Sequence, residues 1–205
     1  SVLLGAEMPK GEDASIPARP PVLCPGCPHR GVFYVLNKLG MRVMGDIGCY
    51  TLAALPPLSA MDACLCMGAS IGMAGGAERA QGKAFSRGTV AVLGDSTFIH
   101  SGITSLIDAV YNRETITVVI LDNRITGMTG HQQNPATGFD IHNQPAPQLN
   151  LEKLVESCGV TDVRVVDPFD LKATEQAIRE AAASEQVSVV IARRPCALLD
   201  KTVRP

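Results

Sequence analysis

The sequence predicts an α/β domain, a mainly parallel sheet with helices on both faces. Two observations carry this. The runs "TVAVLGDS", "TITVVILDN" and "VSVVIARRPC" are rich in β-branched residues and apolar at successive positions, the pattern of strands covered on both sides. Between them lie segments whose apolar residues recur at helical spacing, so strands and helices alternate. The composition agrees. Of 205 residues, 46% are apolar, 4% are aromatic and 19 are glycine. A chain of this length fits one large domain.

The elements follow in order. Residues 1–21 read as a linker or tail, because Pro9, Pro17, Pro20, Pro21 and "KGEDAS" offer little to bury. Residues 22–200 read as the domain and 201–205 as a short tail. His29–Leu39 is expected to be a helix, followed by a short strand in "MRVMGDIG". Asp62–Ala80 is expected to be a helix of small residues, which lets another backbone approach closely. After the strand in "TVAVLGDS", Ser101–Tyr111 reads as a helix and "TITVVILDN" as a second buried strand. Residues 123–150 form a long polar loop. Leu151–Cys158 is a helix closed by Gly159, and "DVRVVD" is a strand. The next helix places Leu171, Thr174, Ala177, Ile178 and Ala181 on one face. Asp167 or Asp170 is its expected cap, with Pro168 in the N-terminal turn. "VSVVIARRPC" is the last strand, and no internal repeat is seen.

Charge narrows the function classes. The net charge is −2, with acidic and basic residues mixed, which argues against nucleic acid or an anionic membrane as partner. The longest uncharged apolar run, Ala63 to Ala77, is too short and too rich in glycine for a membrane span. Ser1–Lys10 does not read as a signal peptide. Seven cysteines is an odd number. A reducing, cytoplasmic compartment is therefore expected, where metal or cofactor binding outranks disulfides.

Two motifs carry chemistry. Gly94-Asp95-Ser96, followed by Thr97, stands where a strand ends and a helix soon begins. In open α/β sheets that carboxyl-end crevice is where ligands bind, and backbone N–H groups at a helix start suit a diphosphate. An anion such as Asp95 beside a phosphate needs a cation between them, and Mg²⁺ is the natural one. The next strand ends at Asp122-Asn123, one helix and one strand later, so the two strand ends can be neighbours. Asn123 could then give its amide oxygen to the metal, and Ile125 its backbone carbonyl. Alone, each stretch reads as a turn or a strand end; together, at this spacing and followed by "TGMTG", they are far more specific. The second motif is "CPGCPHRG". Cys24 and Cys27 are followed by Cys49, and Cys196 ends the last strand. Four such thiolates suit either a Cys₄ zinc site or a [4Fe–4S] cluster, and spacing does not choose between them.

The first pair resembles the thiamine diphosphate motif, Gly-Asp-Gly followed one βα unit later by Asn-Asn. Here Ser96 stands at its third position and Asp122 at its first Asn. The ordered set "CPGCPHRG", "GDIGCY", "CMGASIGMAGG", "GDSTFIHSG" and "NRITGMTGHQ" is similar to the 2-oxoacid:ferredoxin oxidoreductases. Within them it is most similar to the C-terminal thiamine-binding region of indolepyruvate ferredoxin oxidoreductase alpha subunits, over about residues 20–200. The resemblance implies a thiamine diphosphate-binding fold with a small cysteine-bearing cluster lobe. It implies that Cys24, Cys27, Cys49 and Cys196 hold a [4Fe–4S] cluster, and that Thr126, Thr129 and Gln132 belong to a loop folding over the diphosphate. The implied reaction is oxidative decarboxylation of a 2-oxo acid, an aryl pyruvate such as indolepyruvate, with coenzyme A taking the acyl group and ferredoxin the electrons. A pyruvate or 2-oxoglutarate ferredoxin oxidoreductase beta-type subunit is the nearest alternative. A non-catalytic Cys₄ zinc-binding interaction domain is the alternative from another class, and it leaves Asp95 and Asn123 unexplained.

The remaining candidates follow from position. Cys64 and Cys66 read as packing residues of the small-residue helix, and Cys158 as inert at a helix end. His29 could face the cofactor and His100 the substrate; both are candidate catalytic residues. His131 sits in the "MTGHQQ" loop, and His142 reads as a surface residue. Thiamine chemistry needs a carboxylate, usually Glu, against the pyrimidine ring, and none of the nine glutamates lies in such a motif. In the resembling family that residue belongs to a separate pyrimidine-binding domain. The chain is therefore expected to supply half of an active site, in a dimer or hetero-oligomer with that domain and a gamma- or beta-type subunit. Its apolar cofactor-facing surface is expected around Gly48, Tyr50, Met67 and Gly68.

Overall fold

The computed structural model describes Pro17 and residues 19–199. The expected tail at 201–205 and most of the one at 1–21 lie outside them. Helix α1 spans His29–Lys38 and leads into strand β1 at Arg42–Gly45; a 3₁₀ turn follows at Cys49–Ala54, then β2 at Ala63–Cys64. Helices α2 (Ala69–Gln81) and α3 (Lys83–Ser86) precede β3 at Thr89–Gly94. Next come α4 (Asp95–Thr97), a π turn at Phe98–Gly102, α5 (Ile103–Tyr111) and β4 (Thr117–Asp122). After the long loop stand α6 (Leu151–Ser157), β5 (Asp162–Val166), α7 (Leu171–Ala183) and β6 (Ser188–Arg193).

The six strands form one sheet in the order β2-β1-β3-β4-β6-β5. Every pairing is parallel. Alternation along the central strands explains the two layers. Val90, Val92, Val119 and Val190 face a core closed by α1 and α7, while Ala91, Leu93, Val118, Ile120 and Ile191 face one closed by α2, α5 and α6. Both faces are therefore apolar, as the sequence pattern requires. Among the described residues no helix is long and apolar enough to cross a membrane.

Three expectations are corrected. The small-residue helix starts at Ala69, not Asp62. Asp62 instead binds the edge of β1: its carboxylate accepts the Val43 N–H at 2.7 Å. Ala63 and Cys64 then pair with Met44 and Gly45. Gly68 turns the chain into the helix with φ +84°, a left-handed conformation that suits glycine. In turn, the helix expected from Ser101 begins at Asp95 and runs through the π turn, so the Gly94-Asp95-Ser96 motif opens directly into it. Finally, Asp170 caps α7, its Oδ1 accepting Ala173 N–H at 3.0 Å, and Pro168 lies before the cap.

The glycine of "PHRG" has a packing reason. A Cβ on Gly31 would lie 2.1 Å from the Pro168 carbonyl oxygen. Helix α1, which follows the paired cysteines, therefore sits directly on the β5–α7 connection.

Candidate functional site

The carboxyl ends of β1, β3 and β4 frame a cavity. Gly94, Asp95, Ser96 and Thr97 line it from β3 and the start of α4. Leu121, Asn123, Ile125 and Thr126 line it from β4, and Gly127, Met128 and Thr129 continue along the loop. His29, Ile47, Gly48, Cys49, Tyr50 and Met67 close the opposite side. In-register pairing of Gly94 with Leu121 sets the two motifs side by side. The structure thus gathers ten of the cofactor-binding candidates, Gly48, Tyr50, Met67, Gly94, Asp95, Ser96, Thr97, Asn123, Ile125 and Thr126, round one space. Gly68 lies outside that lining.

Asp95 is its one carboxylate lining residue among the described residues and is 2% exposed. Its Oδ1 accepts the Ser96 N–H at 2.7 Å and its Oδ2 the Arg124 N–H at 3.0 Å. Burial pushes its carboxyl up to about 7, against these hydrogen bonds and with a further push from Asp122. A cation would stabilise a desolvated carboxylate of this kind, and oxygen donors suit a hard one. Asn123 is 8% exposed; its Oδ1 accepts the Ile125 N–H at 3.3 Å and its Nδ2 lies 3.3 Å from His29 Nε2. Burial lowers His29 to about 4, so the ring is neutral at physiological pH. It stands edge-on to Tyr50, with centroids 6.1 Å apart.

Asp122, at the first Asn position of the resembling motif, has a different task. Its side chain is fully buried, and Oδ2 accepts from Arg193 Nε at 2.6 Å. Oδ1 lies 3.1 Å from Arg124 Nε but is not aligned with it as a hydrogen bond. Arg193 in turn forks onto Glu152 with two contacts of 2.7 Å, the bidentate geometry that makes Arg–carboxylate pairs strong. Those hydrogen bonds hold the Glu152 carboxyl down at about 2. Residue 122 thus fastens β4 to β6 and the start of α6.

A second cavity adjoins the first. Cys24, Cys27, Cys49 and Cys196 all line it, with Pro28, His131 and Leu198 among the other walls. His29, Cys49, Asn123 and Gly127 line both cavities. Cys24 and Cys27 come from the turn before α1, where Cys27 N–H donates to the Cys24 carbonyl at 3.1 Å. Cys49 begins the 3₁₀ turn. Cys196 is fixed because its N–H donates to the Asn123 carbonyl at 2.9 Å. The four thiols are thus gathered at the carboxyl edge of the main sheet.

The electrostatics of these thiols are informative. All seven cysteines are free. Burial pushes Cys27 up to about 11, with Cys24, Cys196 and Cys49 adding repulsion, and Cys49 is raised for the same reasons. A redox dithiol needs a lowered thiol pKa, and Cys27 is shifted the opposite way. A closed zinc site would set its sulfurs roughly 2.3 Å from one ion. Among the described residues no three of His, Cys, Asp and Glu converge on a point in that way. The four thiols line one space instead, and a metal group would take them as thiolates.

The other candidates fall outside the cofactor cavity. His100 is exposed, with Nδ1 2.5 Å from Ser101 Oγ; the π turn directs Phe98 and Gly102 into the core and His100 outward. Gln132 is exposed and braces the loop, its Nε2 donating to the Thr129 carbonyl at 2.6 Å. His142 is exposed, as expected, while His131 joins the thiol cavity. Cys64 and Cys66 lie before α2 rather than within it; Cys64 Sγ donates to the Asp46 carbonyl at 3.3 Å, and Cys66 is exposed. Cys158 is half-buried behind α6. The expected apolar rim is composed differently. Tyr50 is buried, and the exposed apolar residues that line the cavity are Ile47, Met67 and Met128 among the described residues.

Two residues beside the cavity were not singled out in the sequence. Asn134 reaches the Asp95 carboxylate from the loop, and its own Oδ1 accepts the Ala136 N–H at 2.9 Å. Asp46 lies behind Tyr50, fully buried. "GDIG" marks Asp46 as a residue at a strand's carboxyl end, the one signal that could have drawn attention to it.

The model of the thiamine pyrophosphate enzyme, C-terminal TPP binding domain, matches residues 46–192. The chain is 46% identical over 191 residues to the indolepyruvate oxidoreductase subunit IorA of Archaeoglobus fulgidus, covering 91% of this chain and 30% of that protein. To the subunit of the same name from Pyrococcus horikoshii it is 44% identical over 197 residues, covering 89% and 30%. The chain therefore spans about 30% of the length of these curated relatives. Among solved structures, a 2-oxoglutarate:ferredoxin oxidoreductase from Magnetococcus marinus, with 2-oxoglutarate, coenzyme A and succinyl-CoA bound, superposes with a TM-score of 0.73. Its identity is 19%, over 92% of this chain and 67% of that one. A benzoylformate decarboxylase from Polynucleobacter necessarius gives a TM-score of 0.58 at 16% identity, over 93% and 35%.

Proposed function

We propose that this chain, which belongs to the thiamine pyrophosphate enzymes through their C-terminal TPP-binding domain, is the cofactor- and cluster-binding part of a 2-oxo acid:ferredoxin oxidoreductase. The substrate class is an aryl pyruvate such as indolepyruvate, converted to its acyl-CoA with loss of CO₂ and delivery of two electrons to ferredoxin. Identity to the indolepyruvate oxidoreductase subunits supports that substrate class over pyruvate or 2-oxoglutarate. The observation that carries the reading is the pair of adjoining cavities. One offers diphosphate and metal donors, the other four thiols, and His29, Cys49, Asn123 and Gly127 stand between them.

The roles of the residues follow. Gly94 to Thr97 present the start of a helix to the diphosphate. Asp95, Asn123 and the Ile125 carbonyl would hold Mg²⁺, whose charge answers the need of the buried Asp95 carboxylate. Thiamine diphosphate would supply the electron sink for decarboxylation. Cys24, Cys27, Cys49 and Cys196 would hold a [4Fe–4S] cluster as the electron acceptor. His29, neutral and clamped between Asn123 and Tyr50, keeps the wall between the two sites dry and fixed. No glutamate lines the cofactor cavity among the described residues. The pyrimidine-facing carboxylate therefore comes from a separate pyrimidine-binding domain or subunit, docked over Ile47, Met67 and Met128. A gamma- or beta-type subunit completes the assembly, and the free thiols suit a reducing cytoplasm.

Titration calorimetry of the full-length, anaerobically purified protein tests this. Thiamine diphosphate should bind only with Mg²⁺, and Asp95→Ala should abolish that binding in a folded protein. Equal affinity in the variant would make Asp95 a turn residue and remove the metal site.

A further inference from the structure

Asp46 combines full burial with a position one residue beyond β1, beside the cavity but not in its lining. One carboxylate oxygen, Oδ1, accepts from the Tyr50 hydroxyl; the other, Oδ2, accepts the Gly68 N–H at 2.7 Å. Its backbone carbonyl accepts Thr51 Oγ1–H at 2.9 Å and the Cys64 thiol at 3.3 Å. One residue thus ties together the 3₁₀ turn, the β2–α2 connection and the end of β1.

Tyr50 carries this tie to the diphosphate motif. Its ring is 4% exposed. It is seated between two glycines: a Cβ on Gly48 would lie 2.3 Å from Tyr50 Cε1, and one on Gly94 would lie 3.1 Å from the same atom. Its hydroxyl is also within hydrogen-bond reach of the Gly94 backbone and the Thr97 side chain. Gly48 is therefore needed for space, and a side chain at Gly94 would press on the ring. The ring is the brace between the rim at Gly48–Cys49 and the segment Gly94–Thr97. On the other side, Gly68 follows Met67, so the bond to Gly68 N–H fixes how Met67 meets the cavity.

An apolar pair would fill this space without burying a charge. What the carboxylate provides is direction, because it holds two donors at set angles. We propose that Asp46 is a positioning residue for the bound cofactor. It acts through Tyr50 to hold Gly94–Thr97 in register with the opposite rim, and through Gly68 to hold Met67 at the edge. This rests on the thiamine diphosphate reading of the cavity.

The test is a double-mutant cycle in the full-length protein, with affinity for thiamine diphosphate and Mg²⁺ measured by calorimetry. Asp46→Asn leaves only one acceptor for two donors, and Tyr50→Phe removes only the hydroxyl. Hydrogen bonds to a charged group of this kind make a loss of about tenfold or more expected in each. The double variant should lose less than the product of the two single losses, because both variants break the shared Asp46–Tyr50 contact. For Asp46→Asn the loss should appear in cofactor affinity more than in turnover at saturating cofactor. Unchanged affinity in either variant, or losses that multiply in the double, would overturn the proposal while wild-type binding stands. If Asp46→Asn does not fold, Tyr50→Phe alone decides by the same affinity measurement. A wild type that binds no thiamine diphosphate would overturn the site reading itself, and the proposal with it.

Discussion

Replacing Asp95 by Asn should make the cofactor-free protein more tolerant of alkaline pH, even as it removes a proposed metal ligand. In the folded state the Asp95 carboxyl is raised from 3.8 to about 7, chiefly by burial. A carboxyl raised on folding is more readily charged in the unfolded chain. Its unfavourable contribution is absent below the unfolded value, grows as pH rises above it, and is complete once pH passes the folded value. A shift of about three pKa units corresponds to about 4 kcal/mol at pH 8 and above, but only about 1–2 kcal/mol near pH 5. Asn removes this penalty at every pH. It also leaves one of the Ser96 and Arg124 N–H donors without an acceptor, a cost of about 1–3 kcal/mol that does not vary with pH. The difference between the two pH values cancels that constant cost. Between about pH 5 and pH 8, wild type should lose about 2–3 kcal/mol more than Asp95→Asn. Denaturant unfolding of the cofactor-free proteins, following the transition of this domain, reads the difference directly. A stability gap that is the same at both pH values would refute the reasoning and leave Asp95 an ordinary hydrogen-bonded turn residue.

Two further predictions concern the frame that holds the site. Gly31→Ala would drive a Cβ to 2.1 Å from the Pro168 carbonyl oxygen, and backbone overpacking of this kind should destabilise by about 2–3 kcal/mol. A thermal melt at the wild-type temperature would show that α1 can move off the β5–α7 connection. Arg193→Met should destabilise by about 3 kcal/mol, the low end for breaking a buried pair, because Arg124 still stands near the fully buried Asp122 side chain. Arg193→Lys should not restore the loss, since the fork onto Glu152 requires a planar guanidinium; full recovery by Lys would contradict the bidentate role.

The sequence made the sheet legible because its central strands are buried on both faces. Val90 to Leu93 and Val118 to Leu121 serve two cores at once, so a continuous apolar run was the only pattern available to them. The diphosphate motif was legible because parallel pairing of β3 with β4 turns a sequence spacing into adjacency. The start of α2 was not legible. Ala63 and Cys64 form a strand only through Met44 and Gly45, and no local pattern announces so short a pairing. The π turn at Phe98–Gly102, which sets His100 outward, has no local sequence signal of its own. Asn134 reaches Asp95 by the path of a long loop, which periodicity does not describe. Asp46 needed the positions of Tyr50, Gly68 and Gly94 together.

Four thiols line a space that adjoins the cavity of Asp95 and Asn123. The most direct measurement is iron and acid-labile sulfide in anaerobically purified full-length protein, compared with a variant carrying serine at 24, 27, 49 and 196. Any clusters bound elsewhere in the longer protein cancel in the comparison. The account predicts that the variant loses about four irons and four sulfides per chain, as for a Cys₄-ligated cubane. An unchanged iron and sulfide content, or the loss of a single zinc in their place, would contradict it.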